Sequence, residues 1–154
     1  MADDVDVVVV PIGGGGLISG IAVAIKESNP KIRVYGVEPT GAASTRLSLD
    51  SGRAMRLTSM NTIADGLAAP MTGELNYEIV KRYVDDVVVI DDEVIAEGVR
   101  QLVASAKLVA EAAGGAAVGA LLAHAVPVRE GERVVAIVSG GNIDAGKLAS
   151  IIAS

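Results

Sequence analysis

The stretch from Val7 to Ile25 constrains this chain more than any other. Four consecutive valines, Val7-Val8-Val9-Val10, run into Pro11-Ile12-Gly13-Gly14-Gly15-Gly16, and an apolar-periodic segment follows from Leu17 to Ile25. An unbroken apolar run bounded by glycines reads as a strand buried on both faces, and the periodic segment as a helix packed on it. Between them, four residues without side chains let several backbone N–H groups converge on one anion. The start of the helix adds its partial positive charge and its unpaired donors. The loop therefore reads as a phosphate cradle. A bare tight turn is the alternative, although one or two glycines would suffice for it.

Two common phosphate motifs do not fit. A P-loop would end in Gly-Lys-Ser/Thr, where Gly16-Leu17-Ile18 stands. The dinucleotide fingerprint G-x-G-x-x-G would need glycine at Ile18 or at Ser19. It keeps one attraction, because Glu38 ends the next strand about 20 residues on, where an acidic residue would meet a ribose. A dinucleotide-binding oxidoreductase domain therefore stays open.

Strand signals recur at Arg33 to Val37, Asp86 to Ile90 and Arg133 to Val138. Helical patterns lie between them: a first helix running to Ser28, then Ala42 to Leu49, Gly73 to Tyr83 behind a Thr72 cap, Asp91 to about Ser105, Ala112 to Ala125, and Asp144 to Ala153. Alternating strands and helices predict an α/β fold. Its centre is a Rossmann-like open, mostly parallel sheet of about four strands with helices on both faces. The whole chain reads as a single domain. Ligands of such sheets sit beyond the carboxyl ends of the strands. There the Gly13 to Gly16 loop, Glu38 and a second glycine loop, Ser139-Gly140-Gly141-Asn142, converge.

Composition narrows the partners. The 154 residues carry 13 basic and 19 acidic side chains, a net charge of −6, with no Phe or Trp. That balance, without base-stacking aromatics, argues against nucleic acid and anionic membrane as partners. The absence of cysteine excludes disulfides, thiolate metal sites and a cysteine nucleophile. The apolar runs are too short for a membrane span, and Met1-Ala2-Asp3-Asp4 does not open a signal peptide. The default expectation is a soluble cytoplasmic protein.

With those residues placed, the chain resembles the C-terminal part of the threonine dehydratase and serine racemase family, pyridoxal-phosphate enzymes of fold type II. Pro11 to Gly20, Gly36-Val37-Glu38-Pro39, Ile63-Ala64-Asp65-Gly66, Lys107-Leu108-Val109-Ala110-Glu111 and Ser139-Gly140-Gly141-Asn142 stand in family order. Threonine dehydratase fits better over Gly73 to Ile90. The resemblance implies that Gly13, Gly14, Gly15, Gly16 and the Leu17 N–H hold the phosphate of pyridoxal 5'-phosphate, and that Ser139 bonds the pyridine nitrogen. It places Glu111 near the ring, the alternative being a solvated carboxylate at a helix start. It also implies a divalent cation at Glu38, the Ala42 carbonyl and Ser44, with serine where an acidic ligand is usual. The alternative for Glu38 is an exposed strand-end carboxylate. Asp65 reads as a carboxylate that fixes its own loop, and His124 as structural.

Gly114, Gly115 and Gly119 stand where the family has alanine, which should loosen that helix. The family's Schiff-base lysine belongs to a first half that the resemblance does not cover. Of Lys26, Lys31, Lys81, Lys107 and Lys147, only Ser105-Ala106-Lys107 superficially looks like its setting. The expected function is the cofactor-binding portion of an ammonia-lyase that converts threonine or serine to a keto acid, inactive alone. Its expected partners are an amino-acid substrate in the complete enzyme and either a complementary N-terminal half or a second copy. A stand-alone domain binding a phosphate-bearing ligand is the other alternative.

Overall fold

A computed structural model describes residues 4–153, so the reading of Met1 to Asp3 lies outside the described residues. Four strands, β1 (Val7–Pro11), β2 (Arg33–Pro39), β3 (Asp86–Ile90) and β4 (Val134–Ala136), form one sheet in the order β3-β2-β1-β4. Every pairing is parallel, with Val9 opposite Tyr35 on one side and Ala136 on the other. The chain winds outward from β1 to β3 and then returns to β4 on the far side of β1. The order thus reverses between β1 and β4, and that reversal opens a crevice at their carboxyl ends.

The valine run is buried on both faces, as its unbroken apolar character requires. Val7 and Val9 point into a core built with Ala112, Ala113, Ala116, Ala117 and Ala120, while Val8 and Val10 point into another with Ile18, Ala22 and Val80. The first layer is α5 (Ala112–Leu122), backed by α4 (Asp92–Gln101); the second is α1 (Gly16–Ser28) with α3 (Glu74–Tyr83). A short helix, α2 (Ser44–Ser51), stops at Gly52, whose φ of 70° makes it a left-handed cap. The last helix, α6 (Ala145–Ala153), rests on α4 through Ile151, Ala96 and Val99. Among the described residues, no helix is long and apolar enough to cross a membrane.

Gly98 of α4 and Gly115 and Gly119 of α5 lie where the two helices meet. Methyl groups at Gly98 and Gly119 would collide with the carbonyl oxygens of Gly115 and Val94, and one at Gly115 would lie 2.6 Å from Val99 Cγ2. They let α4 and α5 approach backbone to backbone. Other expectations shift for tertiary reasons. The helix from Asp92 becomes a π-turn at Leu102–Ala106 and ends in a left-handed Lys107, φ 58°. Thr72 does not cap α3. It is buried, its hydroxyl 2.6 Å from that of Thr45, and Gly73 holds the cap position. His124 follows the end of α5 in a left-handed conformation, its N–H donating to the Leu121 carbonyl.

Candidate functional site

At the reversal of strand order, one cavity of about 280 Å³ is lined by Gly13, Gly14, Gly15, Gly16, Leu17, Glu111 and Ser139. All seven residues expected to hold a cofactor therefore face one space. Three elements bring them there. The loop between β1 and α1 supplies the glycines, the turn after β4 supplies Ser139, and the start of α5 supplies Glu111.

The loop is shaped by Gly15, which caps α1 with φ 87° and ψ −4°. A side chain there would be strained, and a methyl group would also lie 2.8 Å from Thr72 Cγ2. At Gly14 and Gly16 a methyl group would meet no other atom within 4 Å. The open side of the loop is thus a hollow that a side chain would fill. The N–H groups of Gly13 to Leu17 have no acceptor among the described residues, and the N-terminus of a 13-residue helix stands behind them. These features suit a phosphate group.

Glu111 caps α5. Its N–H donates to the Gly140 carbonyl at 3.1 Å, and its own carbonyl accepts from the Gly115 N–H. A methyl group at Gly140 would collide with the Glu111 carboxylate, and one at Gly66 would lie 3.5 Å from it. The carboxylate therefore sits between the Ser139 loop and the Gly66 loop. It also borders a second cavity of about 160 Å³ with Asn142, Asp65 and Lys147. Ser139 is exposed and lines the cavity.

Glu38 has a different task. It is fully buried, not an exposed strand-end carboxylate, and its two oxygens accept the Thr45 and Arg46 N–H groups at 2.8 Å each. It caps the start of α2 from the end of β2. Burial pushes its carboxyl above the ordinary range, and the Thr45 and Arg46 donors pull it part of the way back. A carboxylate so enclosed is not placed to meet a ribose, which removes the main support for the dinucleotide reading. The expected cation ligands Ala42 and Ser44 are buried beside it, but Ser44 Oγ is 3.4 Å from Thr72 Oγ1. Among the described residues, no group of three or more histidine or acidic side chains could hold a metal. The geometry observed at Glu38 is that of a helix cap.

Asp65 does not fix its own loop. It pairs with Lys147, while Asp92 accepts from the Thr62 hydroxyl and from the Ile63 N–H at 2.9 Å. Asp92 was missed because a carboxylate in a first helical turn already has a local reason to be there. No lysine lines the 280 Å³ cavity. Lys107 turns its ammonium back onto the Ala104 carbonyl, and Lys26 pairs with Asp85 at 2.7 Å.

The family model for "Pyridoxal-phosphate dependent enzyme" matches residues 1–140. The chain is 47% identical over 149 residues to the L-threonine ammonia-lyase of Thermotoga maritima, an alignment covering 97% of this chain and 37% of that protein. It is 43% identical to the catabolic L-threonine dehydratase of Escherichia coli, over 96% of this chain and 45% of that one. The structure of maize serine racemase superposes with a TM-score of 0.89 at 39% identity, covering 96% of this chain and 46% of that chain. The chain thus spans less than half the length of these relatives, matching their C-terminal part. It belongs to the pyridoxal-phosphate dependent enzyme family.

Proposed function

We propose that this chain is the cofactor-binding portion of a threonine or serine ammonia-lyase, taking the phosphate and the pyridine nitrogen of pyridoxal phosphate. The observation that carries this reading is the single cavity shared by the glycine loop, Ser139 and Glu111. When bound, pyridoxal phosphate supplies an electron sink for removing the α-proton and β-hydroxyl of the amino acid. The chain's own residues bind and orient. The N–H groups of Gly13 to Leu17 and the α1 dipole meet the phosphate dianion. The Ser139 hydroxyl meets the ring nitrogen as a neutral donor, and unlike a carboxylate it does not hold that nitrogen protonated. This tempers the sink and suits elimination of water over reactions that need full carbanion stabilisation. Glu111, fixed at the α5 cap and lining the same cavity, would place its carboxylate near the bound ring.

None of the five lysines borders the phosphate cavity, so the amine that exchanges with substrate must come from a complementary N-terminal portion. The exposed face near the site offers a seat for such a portion or for a second copy. Leu108 and Val109 are 51% and 59% exposed, and β4 is an edge strand with Val135 open to solvent.

The test is keto-acid release from threonine with pyridoxal phosphate. The chain alone should match free pyridoxal phosphate. Adding the N-terminal portion of the Thermotoga maritima ammonia-lyase should produce turnover, and Ser139→Ala should reduce it. Robust turnover by the chain alone, surviving replacement of each lysine in turn, would contradict this division of labour.

A further inference from the structure

The phosphate loop does not hold its shape alone. The Gly14 carbonyl accepts a hydrogen bond from Asn76 Nδ2 at 2.9 Å and a longer one, 3.4 Å, from the Gly73 N–H. Both donors belong to the start of α3, some 60 residues along the chain. A peptide unit is planar, and no cis bond occurs among the described residues, so C=O and N–H of one unit point in opposite directions. Holding the Gly14 oxygen against α3 therefore turns the Gly15 N–H the other way, toward the open side of the loop. The same turn of α3 supports the next residue, because a methyl group at Gly15 would lie 2.9 Å from Asn76 Cβ.

We propose that Asn76 is a positioning residue for the phosphate site: its amide fixes the Gly14–Gly15 peptide so that the Gly15 N–H is aimed at the anion before the anion arrives. Without Asn76 that peptide has only the longer Gly73 bond to hold it. The bound state would then have to order a peptide that the intact chain already holds in place. The inference rests on the phosphate reading of the cavity and adds to it a residue outside the cavity lining.

The test uses the whole chain with inorganic phosphate as the probe. Affinity is measured by equilibrium dialysis for the chain, for Asn76→Asp and for Asn76→Ala, with thermal unfolding of each. Asn76→Asp keeps the shape and suits the first turn of a helix, but presents an acceptor to the Gly14 carbonyl. Both variants should keep a cooperative unfolding transition and bind phosphate about tenfold more weakly, the effect of losing one hydrogen bond and its preorganisation. In the unaltered chain, phosphate should shift the Gly15 amide proton resonance in a saturable way. Equal affinity in the chain and both variants would overturn the role of Asn76 while leaving the phosphate site standing. Phosphate binding with no Gly15 shift would overturn it even if neither variant folds. A chain that binds no phosphate would overturn the site reading, and this inference with it.

Discussion

Two sets of glycines in this molecule have opposite reasons to be there. At Gly98, Gly115 and Gly119 the space a side chain would occupy is filled by the backbone of a neighbouring helix. At Gly14 and Gly16 that space is empty. The first set brings two helices together; the second leaves a hollow on the cavity side of the loop. Glycine content alone does not separate the two. What separates them is whether a methyl group would meet protein or nothing, and at Gly14 and Gly16 the open space borders the cavity.

The sharpest way to break this contrast is to add volume to both sets. Gly98→Val should be the most damaging change, costing about 3 kcal/mol in urea unfolding, because the Gly115 carbonyl and Gly119 nitrogen cannot move aside without separating α4 from α5. Gly98→Ala should still destabilise, although alanine is the better helix former by up to about 1 kcal/mol. A gain in stability there would show that the helices are not in contact as described. Gly14→Val should do the reverse: stability within about 0.5 kcal/mol of the parent, and phosphate binding abolished. Gly15→Val lies between the sets. It should lose both properties, since its φ is 87° and Thr72 and Asn76 stand in its way.

Glu38 sharpens the comparison, because it is buried like the helix glycines yet lies on the β2 side of the site. Glu38→Gln keeps one acceptor and turns an amide N–H2 toward the other donor. It should cost about 2 kcal/mol at neutral pH. The sign of its pH dependence follows from the raised carboxyl. The folded chain holds this proton more tightly than the unfolded chain. The proton's contribution is therefore fully present below the ordinary glutamate range and is lost as pH rises through the raised folded value. The stability advantage of the chain over Glu38→Gln should shrink with rising pH across that window in thermal unfolding, and a growing advantage would contradict the burial described. The smallest effect concerns the open face. Leu108→Ser should leave stability nearly unchanged and weaken any self-association seen by sedimentation.

Much of the site was legible in the sequence, for a physical reason. The valine run, the four glycines and the Ser139 loop each carry a local signal, and the parallel sheet brings them to one edge whatever the details of packing. β3 was legible to the residue for the same reason, with turns and charges marking both ends. The task of Glu38 was not, because it depends on where the start of α2 sits relative to the end of β2. Thr72 had a plausible local role as a cap and a different real one against Thr45. Asp92 and Asn76 act on loops 29 and 62 residues away. Spacing encodes contacts within a turn; it does not encode these.

The central claim is that the glycine loop, Ser139 and Glu111 form one site for pyridoxal phosphate. Its most direct test is a titration of the isotopically labelled chain with pyridoxal phosphate, followed by backbone amide resonances. The account predicts saturable shifts at Gly13 to Leu17, with Ser139 and Glu111 moving along the same binding curve. Shifts confined to residues around the lysines, with the glycine loop and Ser139 unmoved, would contradict it.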